Sequence, residues 1–155
     1  MRRGKPEFRP IVPDLRHNSV PLATFVHHMM WRGKKSLAFR LVYSTLDIIE
    51  EKTGKPGIET FDTAIKNVSP MMEVRPRRVG GATYQVPMEV PSDRRLTLAI
   101  RWILSASRSR SGKSFPEKLA GELMDAATNQ GASVRKRDET HKMAEANRAF
   151  SHYRA

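Results

Sequence analysis

At 155 residues the chain is of single-domain length, enough to remove roughly 68–70% of its unfolded surface from water. Its 28 Lys and Arg against 16 Asp and Glu leave a formal net charge of +12, an excess that repels itself unless a polyanion neutralises it. The absence of cysteine excludes disulfides and thiolate metal sites; no stretch approaches the ~20 uncharged apolar residues of a membrane helix, and residues 1–6 are basic with no apolar run behind them, unlike a secretory signal.

Residues 1–18 read as an extended basic arm. Pro6, Pro10 and Pro13 break any helix, and Arg2, Arg3, Lys5, Arg9 and Arg16 outnumber Glu7 and Asp14. From residue 19 to 155 the pattern is that of one helical domain. A first helix follows Ser19 as N-cap, with Pro21 in its opening turn, and is expected to run to Gly33. After the basic turn Gly33-Lys34-Lys35, a second helix spans about 36–52. Its apolar residues Leu37, Ala38, Leu41, Val42, Leu46, Ile48 and Ile49 cover so much of the circumference that it should be the most buried helix. Ile58, Phe61, Ile65 and Val68 mark a third helix, stopped by Pro70.

The period then changes to two. Met72 and Val74 alternate with Glu73 and Arg75, and Tyr84, Val86, Met88 and Val90 with Gln85, Pro87 and Glu89. Around Arg77-Arg78-Val79-Gly80-Gly81-Ala82 this predicts a β-hairpin over about 72–90, both strands edges because Pro76 and Pro87 lack an amide proton. A fourth helix is expected over about 93–108. A fifth opens on the capping-box pattern Ser114-Phe115-Pro116-Glu117 and should end at Gly131. A sixth covers about 133–150 with Met143, Ala146 and Phe150 as its apolar face. The fold class is thus mainly α: a single bundle of about six helices with a hairpin protruding between helices three and four.

Charge is segregated along this plan. Residues 73–113 hold nine Lys and Arg against three acids, whereas 114–131 hold one against three. On the fourth helix Arg94, Arg101 and Arg108 stand seven residues apart, nearly two full turns, so they share one face about 10.5 Å apart. Such a row suits a phosphate backbone, to which guanidinium groups give directed hydrogen bonds. No acid lies three or four residues from Arg101 or Arg108 to offer an intrahelical pair. Arg95 and Arg110 belong to the same basic stretch. At the hairpin tip, Arg75, Arg77 and Arg78 flank Gly80-Gly81, while Tyr84, on the face of Val86 and Met88, reads as core before it reads as a base-stacking ring. Arg137, His141 and Arg148 share a sector of the sixth helix, a second phosphate edge or a self-paired surface.

Nothing in the sequence supports catalysis. The adjacent His27 and His28 diverge on a helix, and no metal-ligand spacing, Walker loop or nucleophile elbow occurs, so no enzyme activity, metal or cofactor is expected. The alternative to an RNA-binding scaffold is a free-standing DNA-binding module that lays a basic helix in a major groove.

The hairpin segment Met72-Glu73-Val74-Arg75-Pro76-Arg77-Arg78-Val79-Gly80-Gly81-Ala82-Thr83-Tyr84-Gln85-Val86-Pro87 resembles that of the ribosomal small-subunit protein seven family. The likeness continues at Gly33-Lys34-Lys35-Ser36, at Arg101-Trp102-Ile103 and through 141–154 (His141 to Arg154). It runs in order from about residue 9 to 154. Leu15 and the terminal Tyr153-Arg154-Ala155 depart from the family's usual residues.

The resemblance implies a non-catalytic scaffold that binds the head domain of small-subunit ribosomal RNA and organises its assembly. It implies a place beside exit-site transfer RNA and the messenger path, with other small-subunit ribosomal proteins as neighbours and no membrane. On its pattern, ribosomal RNA falls to Arg2, Arg3, Lys34, Lys35, Arg94, Arg95, Arg101 and Arg108, to which the charge of the arm and of the basic stretch adds Lys5, Arg9 and Arg110. Transfer RNA and messenger fall to Arg77, Arg78, Gly80, Gly81, Arg148, Tyr153 and Arg154, and the position of Arg75, Tyr84 and Arg137 on the hairpin and the sixth helix adds them to this set. The compact length resembles bacterial members, in the cytoplasm, or organellar ones.

Overall fold

In the computed structural model, Gly4 and residues 10–154 are described; Arg2, Arg3, Lys5 and Arg9, and the side chain of Arg154, lie outside the described residues. Seven helices, the last a 3₁₀ segment, and one antiparallel hairpin make up this part of the chain. Helix α1 (Val20–Met29) starts where Ser19 Oγ accepts the Leu22 N–H at 3.3 Å, one of the orphan amides that every helix start leaves. It ends at Met29, four residues short of the expected Gly33, because Met30 turns extended and Arg32 and Gly33 take positive φ (52° and 73°).

Helix α2 (Lys35–Thr53) closes on Gly54 in the left-handed conformation, whose N–H returns to Glu50 O. Helix α3 (Gly57–Val68) crosses α2 so closely that a Cβ on Gly57 would stand 2.5 Å from Leu46 O, so only glycine admits this crossing. Phe61 of α3 meets Phe25 of α1 edge to face, 5.4 Å between centroids, worth about 0.5–1.5 kcal/mol beyond the area buried.

Strands β1 (Met72–Val79) and β2 (Ala82–Glu89) pair in register from Met72 with Glu89 to Val79 with Ala82. Gly80 and Gly81 both have positive φ (57° and 90°), the requirement of the two-residue turn whose twist matches the strands. Helices α4 (Ser92–Ser109), α5 (Phe115–Ala127) and α6 (Gly131–Ala146) complete the bundle, followed by the 3₁₀ segment Arg148–Arg154.

Four further expectations need correction. The centre of the bundle is α5 rather than α2: α5 touches α2, α3, α4 and α6, and Leu119, Ala120, Glu122, Leu123 and Ala126 are buried. Small residues on α5 let its neighbours close in, whereas α2 leaves Leu37 exposed for want of a second layer. The capping box does not form. Ser114 has extended cap geometry but its side chain makes no cap bond, and Pro116 has removed one of the two amides such a side chain can reach. The turn after α5 is made by Asn129 (φ 57°), and Gly131 (φ 94°) opens α6 instead of ending α5. Finally, α6 buries Ser133, Val134, Thr140 and Ala144, while Met143 faces water and Phe150 lies beyond the helix. That inner face was hidden because polar side chains with remote partners occupy it.

Candidate nucleic-acid interface

On α4, Leu98, Ile100, Ile103 and Leu104 turn into the bundle, which leaves Arg101 and Arg108 on the outer side. Both are exposed, and neither has a hydrogen-bond or ion-pair partner among the described residues. With His28 of α1, Leu104 and Ser105 they line a groove of about 390 Å³. The third member of the row behaves differently. Arg94 Nε lies 2.8 and 2.9 Å from the two carboxylate oxygens of Glu73, so it clamps α4 to the root of β1. Glu73 also takes Arg75 Nε at 2.5 Å and is itself buried. Arg95 donates to Val90 O at 2.7 Å, closing the return from the hairpin.

The hairpin is held along its length by the chain's end. Tyr84 stacks on Tyr153 (5.0 Å, 25° between planes) and leans on Phe150 at 5.4 Å, while Arg77 Nη1 donates to Tyr153 O at 2.8 Å. Tyr84 is half-buried in this aromatic packing. Beyond it, Arg78 and the Gly80-Gly81 tip stand exposed, with no partner for the Arg78 side chain among the described residues. Arg148 is exposed and likewise unpaired, beside a recess of about 360 Å³ shared with Met71, Met72, Pro87 and His141.

Two of the expected phosphate contacts are turned inward. Arg110 pairs with Asp125 and places Nε 3.1 Å from Oε2 of the fully buried Glu122. Gly121 gives it room, since a Cβ there would meet Arg110 Nη1 at 2.5 Å. The other Glu122 oxygen accepts Ser133 N–H at 2.9 Å and Ser133 Oγ–H at 2.6 Å, which fixes the start of α6. Arg137 is mostly covered; it donates to Asn67 O, to Asn129 Oδ1 at 3.3 Å and to Asp138. His141 offers Nε2 to the Met71 N–H at 3.0 Å, and burial together with the Arg137 charge lowers its pKa from the ordinary 6.5.

The arm enters the described region as a clasp. The buried Asp14 accepts the N–H groups of Arg16 (3.0 Å) and His17 (2.9 Å) and the hydroxyl of Tyr43 at 2.5 Å. Burial and that bond push Tyr43 up to about 12. Between α1 and α2, Lys34 and Lys35 are exposed, Lys35 Nζ lying 5.8 Å from the Phe39 ring. Sequence reasoning passed over two residues of this turn, Trp31 and Arg32, both exposed. Their signal was a large aromatic that falls off the Leu22-Phe25-Val26-Met29 period of α1. Among the described residues no group of His, Asp and Glu is placed to hold a metal, and no helix is long and apolar enough to cross a membrane.

A helical bundle with an unpaired basic ridge, a basic turn and a glycine-tipped hairpin is the build of an RNA-binding structural protein. The comparisons make this specific. The family model described as Ribosomal protein S7p/S5e matches residues 1–148. The chain is 58% identical over 153 residues to the small ribosomal subunit protein uS7 of Caldanaerobacter subterraneus, covering 99% of this chain and 98% of that one. It is 57% identical to the uS7 of Thermomicrobium roseum over the same shares, and 56% identical to that of Chloroflexus aurantiacus over 98% and 97%. The chain belongs to the S7p/S5e family of ribosomal proteins, structural and non-enzymatic components of the small subunit.

Proposed function

We propose that the chain binds the head domain of small-subunit ribosomal RNA and organises that domain's assembly, with the outer face of α4 as its main phosphate contact. The observation that carries this reading is the pair Arg101 and Arg108. They are two exposed guanidinium groups without partners among the described residues, facing a groove beside His28. Lys34 and Lys35 extend the contact along the α1–α2 turn, and Arg2, Arg3, Lys5 and Arg9 of the arm add to it. Arg94, Arg95 and Arg110 support the same surface from within, by fixing α4 against the hairpin and α5.

The hairpin tip (Arg78, Gly80, Gly81) and Arg148 lie on the side assigned to exit-site transfer RNA and messenger. Arg75, Arg77, Tyr84, Arg137 and Tyr153 hold that side in shape, and Arg154 ends it. Cytoplasmic ribosomes of bacteria are the setting, in keeping with the bacterial relatives, and neighbouring small-subunit proteins complete the surroundings. The test is binding to a head-domain transcript across a salt series. Each neutralised phosphate contributes a slope of about −0.9 on duplex, or about −0.7 on single strands, in log affinity against log salt. A slope near zero overturns the proposal.

A further inference from the structure

We infer that Trp31 is a stacking platform for one unpaired base of the RNA, a contact made by this chain's own α1–α2 turn; the inference rests on the RNA-binding reading above. Trp31 is 72% exposed and has no ring or hydrogen-bond partner for its side chain among the described residues. An indole with its area in water forgoes a large share of what burial gives an aromatic side chain. Folding does not call for it here, because Trp31 stands past the end of α1 and off that helix's buried face.

The turn beneath it is nevertheless defined. Lys34 N–H donates to Trp31 O at 3.1 Å and Lys35 N–H to Gly33 O at 2.8 Å, and Arg32 is held at φ 52°, a conformation a non-glycine side chain adopts at some cost. The ring is therefore presented on a shaped turn. A recess of about 400 Å³ opens between Trp31, Arg32 and Lys34.

Charge selects the occupant. Residues 31–36 hold Arg32, Lys34 and Lys35 and no acid, and the residues that line the recess with the ring are the cationic Arg32 and Lys34. The buried centre of a protein–protein interface is depleted in charged residues, Lys among them, which disfavours an apolar protein pocket around this indole. A nucleotide supplies both halves of the match: a base with a π-face for the indole and phosphates for the flanking cations. The base must be unpaired, since a paired one has its faces covered by its neighbours in the stack.

The experiment measures binding of the full chain and of Trp31→Ala, Trp31→Phe and Trp31→Leu to a transcript of the small-subunit head domain, with tryptophan fluorescence read in parallel. Trp31→Phe retains Trp102 and so supplies the blank for the Trp31 signal. Stacking predicts a loss of roughly 5- to 150-fold in affinity for Trp31→Ala, the alanine cost of a stacked base. Leu should behave as Ala, Phe should retain most of the affinity, and RNA should quench the Trp31 fraction of the emission. The salt slope should be the same in all four proteins, because no cation is lost. Unchanged affinity in Trp31→Ala with no quenching overturns the stacking proposal and leaves the RNA-binding reading standing. Leu binding as well as Trp also overturns it, because a side chain without a π-face then serves equally well. If the unmodified chain itself fails to bind the transcript, it is the underlying reading that has failed.

Discussion

Nε2 of His141 accepts the backbone N–H of Met71 at 3.0 Å, so the last long helix holds the first residue before the hairpin through a neutral imidazole. This acceptor exists only while His141 is unprotonated. Its pKa is lowered from 6.5, mainly by burial, with Arg137 adding to the effect and Asp138 opposing it. A histidine whose folded pKa is depressed binds fewer protons folded than unfolded, so stability rises with pH across that interval. It is fully present above the unfolded value of 6.5 and declines as pH falls from there toward the lower folded value. The expected outcome is a melting temperature that drops as pH falls below 6.5, with a shallower drop in His141→Gln. The protection of the Met71 amide against hydrogen exchange, taken relative to the intrinsic rate at each pH, should fall over the same range.

Arg101→Ala should leave the melting temperature within the narrow band of exposed substitutions, about ±0.5 kcal/mol, because the side chain touches no partner among the described residues. It should weaken binding to a head-domain transcript and reduce the salt slope by close to one phosphate. Arg94→Ala is the contrast. It removes one of the two arginines that pair with the buried Glu73, leaving Arg75, so its first effect is on stability, and any loss of RNA affinity accompanies a loosened hairpin root. Circular-dichroism melts and filter binding on the two variants separate the cases.

The difference between these arginines shows what the sequence could and could not reveal. Helices α1 and α3 were readable because Ser19, Pro21 and the spacing of Ile58, Phe61, Ile65 and Val68 are local signals. The hairpin followed from its period of two and from Gly80-Gly81, and the unpaired state of Arg101 and Arg108 from the absence of nearby acids on their own helix. Arg94 and Arg110 carry the same local signature, yet they end on Glu73 and Glu122, acids 21 and 12 positions away in the chain. A search of neighbouring helical turns does not reach that far. The inner face of α6 was missed for the same reason: Ser133 and Arg137 look like surface residues until Glu122 and Asn67 are brought beside them.

Glu122 is the group on which α4, α5 and α6 converge, so Glu122→Ala should be among the most damaging single changes in the chain. The substitution strips Ser133 of its acceptor and leaves the partly covered Arg110 guanidinium with Asp125 alone. Removing one partner of a buried pair costs about 3–5 kcal/mol, and the lower end applies because Arg110 retains some contact with water. Glu122→Gln keeps an oxygen for Ser133 and should cost less. Gly131→Ala should be destabilising by a different route, since a Cβ at φ 94° would also stand 2.9 Å from Glu122 Oε1. Denaturant titrations of the three variants give the order.

Tyr43 joins the end of the arm to α2 through its hydroxyl, which donates to Asp14 beside the N–H groups of Arg16 and His17. Its pKa is raised from 10.0 to about 12, first by burial and then by the bond to Asp14. A group whose folded pKa lies above its unfolded one stabilises fully below the unfolded value and loses that contribution as pH rises through the folded one. The wild-type chain should therefore lose stability between pH 10 and 12, and Tyr43→Phe, which has no proton to lose, should show no such decline from this site. At pH 7 the same variant deprives the buried Asp14 carboxylate of one donor, at a cost of about 1–3 kcal/mol. If Tyr43→Phe instead melts with the wild type at pH 7, the clasp contributes nothing to holding the arm on α2.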